Sequence, residues 1–317
     1  MSISHLPTTI GYISISGTMT LIGFVSNIFS LAALCQSAIR RTTIVWFIIL
    51  TTITSQLSLT FLLAHVLYII LNQYSLLNHH TLLNLILCKL CSYLSRTFTY
   101  ISKWSICFVS VSRAQNTKQI RIRNLNKHGV PFDKYDKQKL MLYVLTIFLV
   151  AASAVIDILL HRITNDTQNT NQLICITEYS SLSSVWKTVD TLSIFTNHIV
   201  PVLLNVYASG IILTIAARSK SNVSHESFIS SLWFQIKLRY EQLLCPLLMI
   251  LCSLPQLLAG FILSCDTWNI VWLKHFIISL YYFAYIPQLL TFFLFIQPSR
   301  IYKQAFKQSQ IGKLFFK

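Results

Sequence analysis

The chain is poor in acidic residues and in the residues that favour flexible loops. Only 9 of its 317 residues are Asp or Glu, and it has 7 Gly and 7 Pro. Charged residues make up 11% of the sequence, whereas an ordinary soluble domain has roughly 25%. Hydrophobic residues make up 54%, and the mean hydropathy is +0.60. These proportions argue against a soluble protein and predict one that lies in a membrane.

The sequence also lacks the patterns of catalytic and metal sites. The 8 Cys do not recur at zinc-finger spacing, and the 9 His form no H-E-x-x-H pair. Neither a Gly-rich phosphate loop nor a G-x-S-x-G elbow occurs. We therefore expect no enzymatic activity, no metal and no cofactor. The excess of 25 Lys and Arg could indicate nucleic acid binding, but the apolar majority argues against it.

Long apolar stretches are what the sequence has in abundance. Crossing about 30 Å of hydrocarbon takes about 20 mostly apolar residues in a helix. Several stretches meet this length, and they predict an all-α membrane protein built as a seven-transmembrane helix bundle. The predicted segments are 10–38, 42–72, 84–115, 139–161, 188–217, 240–264 and 270–297. Residues 1–9 form the expected N-terminus, 10–297 the transmembrane domain and 298–317 the tail.

The distribution of Lys and Arg predicts the orientation, because cytoplasmic loops are rich in them. The loops after segments one, three and five and the tail hold most of the cations, whereas the opposite loops hold Lys89, Arg162, Lys187 and Lys274. We expect a plasma-membrane protein with an extracellular N-terminus and a cytoplasmic C-terminus. The sequon at Asn165 then falls outside, as a glycosylation candidate. Anionic lipid and a cytosolic partner explain the basic loops better than nucleic acid does.

Segment three places a thiol and a guanidinium at opposite membrane surfaces. Cys88 and Arg113 are separated by about 37 Å of helical rise and about seven turns, so they share a face. Cys175 is the single Cys in the predicted outer loop between segments four and five. A bridge between Cys88 and Cys175 would hold that loop over the bundle. Two free thiols, or Cys91 as the partner, remain open alternatives.

Further motifs lie in a defined order along the segments. Segment one contains Gly23-Phe24-Val25-Ser26-Asn27, and segment five contains Pro201. Segment six contains Cys252-Ser253-Leu254-Pro255, and segment seven contains Ile286-Pro287-Gln288-Leu289-Leu290. Together with the spacing of Cys88 and Arg113, these motifs resemble those of the rhodopsin-like (class A) G-protein-coupled receptors, as in a divergent member.

The resemblance implies a receptor that passes an extracellular peptide or small-molecule signal to a heterotrimeric G protein by helix rearrangement. Arg113 would bond to segment six in the closed bundle and meet the G protein once segment six swings outward. Asn27, Cys252, Pro201, Pro255 and Pro287 would belong to the same switch. Residues 298–317 would include a short amphipathic eighth helix. The prolines have a physical reading too, since each removes a backbone hydrogen bond and kinks its helix.

Several family positions differ in this chain. Ser112 stands where the family has an acid before the Arg, Ser253 replaces a Trp, and Leu290 replaces a Tyr. No acid occurs at Ser55-Gln56 in segment two, which makes a sodium-regulated switch doubtful. Lys103 lies inside segment three, where a buried ammonium needs a partner. Ser55, Gln56 or a freed carbonyl are the expected partners, and a deprotonated amine is the alternative.

Ligand contacts are expected in the outer half of segments three, five, six and seven. An amine is disfavoured, because Ser95 carries no acid to pair with it. Arg96 either receives an acidic group or pairs with Asp190 or Glu178. The candidate ligand-binding residues are Ser95, Arg96, Thr99, Asp190, Asn197, Gln256, Phe276 and Tyr282. A transporter or channel, or a seven-span chemoreceptor without conventional G-protein coupling, is the alternative interpretation.

Overall fold

The computed structural model describes residues 6–36, 39, 43–74, 81–125, 133–155, 158, 161–165, 173–177, 184–224, 227–238, 240–262 and 271–315. Its first half holds four long helices: α1 (Leu6–Leu34), α2 (Thr43–Gln73), α3 (Thr81–Leu125) and α4 (Asp133–Ser153). Each contains most of the corresponding predicted segment. Helix α3 continues to Leu125. The predicted segment ended at 115, where the apolar run stops, but the polar turns that follow are helical as well.

A short hairpin follows α4. Strands β1 (His161–Asn165) and β2 (Leu173–Thr177) pair antiparallel, with Ile163 opposite Cys175. The all-α prediction missed this hairpin, and the predicted fourth segment, which reached residue 161, overlaps its first residue. Strand β1 packs against α3 and β2 against α2. The hairpin therefore lies at the end of α3 that carries Cys88.

From Ser184 onward the described part of the chain is mostly helical. Helix α5 (Ser184–Ser224) contains Pro201 and is followed by α6 (Phe228–Leu238) and α7 (Tyr240–Ile262), which contains Pro246 and Pro255. The predicted seventh segment is broken. It consists of α8 (Val271–Phe283), the short α9 (Ile286–Leu289) and a π-helical turn (Phe292–Ile296). Pro287 lies in the first turn of α9, where its missing N–H costs nothing, instead of kinking a continuous helix.

Two short helices end the chain, α10 (Arg300–Gln308) and α11 (Gln310–Phe315). Helix α10 is amphipathic: Ala305 and Phe306 are buried, while Arg300, Lys303 and Lys307 are exposed. The Phe306 ring contacts the rings of Phe29 and Phe292 at centroid distances of 5.6 and 5.0 Å. An amphipathic helix was expected here, and it packs against α1.

Three of the described helices are long and apolar enough to cross a membrane, over Thr9–Leu34, Ile44–Asn72 and Thr188–Asn222. Two shorter apolar stretches are Tyr143–Ser153 and Leu243–Pro255. Large apolar side chains point outward from many of the helices, such as Leu21, Phe148 and Tyr207, each more than two thirds exposed. A water-soluble surface does not expose so much apolar area. The chain is therefore a helical membrane protein.

The helices pack around α3. Its most extensive neighbours are α2 and α5, and α1 packs on the far side of α2. A core of buried side chains runs through the half of the bundle that contains Arg113, and includes Phe47, Trp104, Phe108, Tyr143 and Met249. A second, smaller cluster joins α1, α2 and α8 through Met19, Leu59 and Tyr282.

Candidate functional site

Polar residues of α3 recur at helical spacing and form one buried face. Ser92, Ser95, Thr99 and Ser102 follow one another at intervals of three or four residues, and Lys103 follows Thr99 by four. All five are at most 8% exposed. Residues three and four apart lie above one another on a helix. This face turns toward α2, α5 and the α8–α9 region, so polar groups from four parts of the chain meet in the interior.

A cavity of about 290 Å³ opens on this face. Helix α3 contributes Ser92, Arg96, Thr99 and Tyr100 to its wall. The other walls come from His65 of α2, Ile194 and His198 of α5, and Tyr281, Ala284 and Tyr285 at the end of α8. The cavity lies between the helices, closer along α3 to Cys88 than to Arg113.

Arg96 is the charged group at this cavity. Its Nη2 lies 3.0 Å from Oδ1 of Asp190, and its Nε donates to the Tyr100 hydroxyl at 2.8 Å. The side chain of Asp190 is 7% exposed, whereas that of Arg96 remains 21% exposed. The predicted pairing with Asp190 is thus present. Asp190 itself lies behind Arg96 and is absent from the cavity wall.

Lys103 lies about two helical turns beyond Arg96 along α3 and has His198 as its partner. The Lys103 Nζ and His198 Nδ1 atoms are 2.7 Å apart, and the two residues are 4% and 8% exposed. This contact replaces the expected partners Ser55 and Gln56, because the side chain turns toward α5 and not toward α2. Ser55 bonds to Ser102 instead, at 2.9 Å. A protonated Lys103 can only donate, so His198 accepts at Nδ1 and a neutral ring carries its proton on Nε2.

Hydroxyl groups link α3 to the broken seventh segment. Tyr285 receives contacts from the hydroxyls of Ser95 at 3.2 Å and Tyr281 at 3.0 Å. Thr99 reaches Tyr285 at 3.5 Å and Ser58 of α2 at 2.7 Å. Tyr285 occupies the turn between α8 and α9. Any change in the cavity that moves its phenol therefore acts directly on the break in the segment.

The ligand candidates differ in their position relative to the cavity. Arg96 and Thr99 line the cavity, and Ser95 and Asp190 contact lining residues. Asn197 does not line it, since its amide binds Trp104, Ser153 and the Ser193 carbonyl. Two residues face elsewhere: Phe276 is 50% exposed, and Tyr282 packs on Tyr12 of α1. The side chain of Gln256 lies outside the described part of the structure, as do those of Asn165 and Cys175.

A second polar cluster lies where α1 and α2 meet the π-helical turn. The Asn27 amide nitrogen donates to Oε1 of Gln56 at 3.0 Å, and the Thr291 hydroxyl donates to the Asn27 amide oxygen. Ser26 contacts both the Thr291 hydroxyl and the Phe292 backbone N–H, at 3.4 and 3.2 Å. Every group in this cluster is neutral.

Arg113 lies at the other end of α3, near the start of the C-terminal helices. Its guanidinium lies beside the phenol of Tyr302 on α10 and near Cys245 on α7. Burial raises the pKa of the Tyr302 phenol, and the nearby Arg113 charge offsets part of that rise. Ser112 contacts the Tyr143 hydroxyl at 3.3 Å and takes no part in holding Arg113. The neighbour of Arg113 is therefore a phenol of α10, whereas the resemblance had implied a polar group of segment six.

The chain matches no protein-family model and no curated protein. The roles assigned to these residues therefore rest on their own geometry. Of the switch residues, Asn27 and Cys252 are buried, at 2% and 1% exposure. Cys252 is a free thiol beside Ser253, whose buried hydroxyl has no hydrogen-bond partner within the described ranges.

Cys88 forms a disulfide. Cys91 is a free thiol, which removes the rival that the sequence left open. The other described cysteines, including Cys107 and Cys245, are free as well. The identity of the partner stays a prediction for Cys175, whose strand β2 pairs with the strand that packs against α3.

The site residues that the sequence analysis missed are mostly aromatic or imidazole side chains. Tyr100, Tyr281 and Tyr285 lie in apolar stretches, where a Tyr is usually read as core. Tyr100 had one available signal, since it follows Arg96 by four residues and so lies beside it on the helix. Tyr281 and Tyr285 have the same spacing, but the break that reorients them carries no pattern except Pro287.

Proposed function

We propose that this protein is a seven-span receptor of the plasma membrane that transmits an extracellular signal to a heterotrimeric G protein. The observation that carries the proposal is the arrangement of α3. One rigid helix bears a polar cavity beside Arg96 and, about 25 Å of helical rise further on, a guanidinium at Arg113. A ligand and a cytosolic protein would thus contact opposite parts of the same helix.

The proposed topology has an extracellular N-terminus and a cytoplasmic C-terminus. It is supported by the cation-rich loops on the Arg113 side and by the disulfide at Cys88 on the other side, since disulfides persist in oxidising compartments. The exposed cations of α10 would then face the anionic cytoplasmic leaflet. The basic stretches 116–138 and 218–239 together with the tail would form the surface that the G protein meets.

The proposed route of transmission is the broken seventh segment. Tyr285 touches the cavity, Thr291 joins the Asn27 cluster, and Phe292 packs on Phe306 of α10. Helix α10 in turn holds Arg113 through Tyr302. A helix with two interruptions can adopt more than one arrangement at modest cost. A ligand that binds one of these arrangements more tightly shifts the population toward it.

The proposed resting state has Arg113 held by Tyr302. In the activated state α7 and α10 would separate from α3, and the guanidinium would become free to bind a carbonyl or carboxylate of the G protein. Arginine suits both roles, because its planar fork of donors fits several kinds of acceptor. Loss of the phenol should therefore favour the released state.

The test is a cell-based measurement of G-protein dissociation without ligand, run across the G-protein classes and normalised to surface expression. We expect Arg113→Ala to bring basal dissociation to background and Tyr302→Phe to raise it about two- to tenfold, as loss of one hydrogen bond to a charged group allows. Lys89→Ala, at a partly exposed cation near the outer end of α3 and outside the proposed G-protein surface, is the matched control. Basal coupling that Arg113→Ala leaves unchanged in every class would refute the proposal.

A second candidate is a seven-span chemoreceptor without conventional G-protein coupling. The contact of Ser112 with Tyr143 favours it, because the family's acid is absent and its position is used for packing against α4. Ligand-evoked current or internalisation in cells that lack heterotrimeric G proteins would support this second function.

A further inference from the structure

We infer that the cavity beside Arg96 binds a small organic anion, an aryl-alkyl carboxylate whose carboxyl group is held by Arg96 and Ser92. The inference rests on the proposed function only in taking this cavity as the ligand site. It names the chemical class of the ligand, which the seven-span arrangement leaves open. Three independent features support it: the charge of the wall, an unpaired hydroxyl and the size of the cavity.

The wall of the cavity is cationic. Arg96 lines it, while its partner Asp190 lies outside the wall and is 5% exposed. Behind His198, which also lines the cavity, the buried Lys103 adds a second basic group. None of the described lining residues is acidic. The field in this low-dielectric space thus favours a negative group and opposes an ammonium.

Ser92 supplies a donor that lacks a partner. Its hydroxyl is buried, at 8% residue exposure, and forms no hydrogen bond with any described residue. Buried polar groups are nearly always paired, so an unpaired one on a cavity wall calls for a ligand or a water. Ser92 precedes Arg96 by four residues and lies beside it on α3. Hydroxyl and guanidinium can therefore bind two oxygens of the same carboxylate.

The rest of the cavity fits an aromatic body. Its volume of about 290 Å³ lies at the lower end of the range of small-molecule sites, about 300–1,000 Å³, which suits a small molecule and not a folded peptide. The rings of Tyr100, Tyr281 and Tyr285 and the side chain of Ile194 are among the groups that line it. Aromatic side chains of this kind stack on a planar ring.

Asp190 allows the charge preference of the cavity to be tested. The Arg96 guanidinium carries five N–H donors in a planar fork, and Asp190 engages it through Nη2. A ligand carboxylate must share or displace this internal acid. Removing the charge of Asp190 should therefore strengthen the binding of an anion. An ammonium ligand would need Asp190, and the same change would abolish its binding.

The experiment uses the purified full-length protein in lipid nanodiscs, with binding measured by calorimetry and by thermal shift. The probes are 3-phenylpropanoate, its neutral amide and the matched amine 3-phenylpropylamine. We expect the carboxylate alone to bind. Arg96→Gln should weaken it at least about tenfold, Ser92→Ala about three- to tenfold, and Asp190→Asn should tighten it.

Ser105→Ala is the matched control for Ser92→Ala. It also removes a buried, unpaired hydroxyl from α3, but one that does not line the cavity, and it should leave the affinity unchanged. Ser92→Ala and Asp190→Asn keep the test decisive should Arg96→Gln fail to fold. Equal binding of acid and amide, preference for the amine, or no binding of any probe at millimolar concentration would overturn the inference. Because no G protein is present, this result is independent of the coupling test.

Discussion

Substitutions at Lys103 and His198 should show how much the contact between these two buried side chains contributes to stability. His198→Leu removes the acceptor of a buried ammonium and leaves its charge without a partner. Loss of a hydrogen bond from a charged group to a neutral acceptor costs about 1.5–3 kcal/mol. Lys103→Met leaves a neutral ring with one unpaired nitrogen, at a cost of about 1–3 kcal/mol.

The double variant should be close to the wild type in stability. Met and Leu fill volumes similar to those of Lys and His, and replacing both partners of a buried hydrogen bond by apolar groups of similar shape is nearly neutral. The two single changes therefore should not add, and the coupling free energy should be about 2 kcal/mol or more. At about 2 °C per kcal/mol, His198→Leu should lower the Tm by about 3–6 °C, and the double variant should lower it by less than either single change.

Thermal unfolding can be followed in detergent with a thiol-reactive dye. Cys91, Cys107, Cys245 and Cys252 are buried free thiols that unfolding would expose, and Cys35→Ser removes the exposed one. His275→Leu is a suitable control, because His275 bonds the Tyr12 hydroxyl without a cation and should cost about 1 kcal/mol. Strict additivity of the two changes would refute the view that the hydrogen bond between Lys103 and His198 holds α3 to α5.

Three further predictions concern the packing of the bundle. Thr291→Val removes the hydroxyl that binds Asn27 and should cost about 1–2 kcal/mol in the same assay; an unchanged Tm would contradict the polar cluster. Gly23→Ala should destabilise by about 1–3 kcal/mol, since its Cβ would lie 2.3 Å from a buried leucine methyl, whereas Gly210→Ala meets nothing within 4 Å and should be neutral. Cys88→Ser should cost about 2–5 kcal/mol, and non-reducing peptide mapping of the wild type should find Cys88 linked to Cys175; a different linked peptide would refute the pairing.

The helices could be predicted from the sequence, because lipid demands apolar runs of a fixed length. Each predicted segment overlaps a helix. The bounds of the helices differ from those of the segments where a helix extends beyond its apolar run. Helix α1 begins at Leu6, ahead of the predicted start at 10, and α3 continues through polar turns to Leu125. The hairpin β1–β2 was missed, since short strands in a polar loop carry no long pattern.

The partners of the site residues could be predicted only in part. The pairing of Arg96 with Asp190 was one of the alternatives that the sequence left open, beside Glu178 and an acidic group of a ligand. The pairing of Lys103 with His198 could not be predicted, because it depends on the rotation of α3 relative to α5. Tyr302 escaped notice for a similar reason: its contact with Arg113 depends on the place where α10 folds back after the π-helical turn.

The direction in which the chain crosses the membrane is the most direct test of the account. Epitope tags before residue 1 and after residue 317 can be stained in intact and in permeabilised cells. The account predicts that the N-terminal tag is stained in both and the C-terminal tag only after permeabilisation. Both tags on the same side of the membrane would contradict an odd number of spans and with it the proposed receptor.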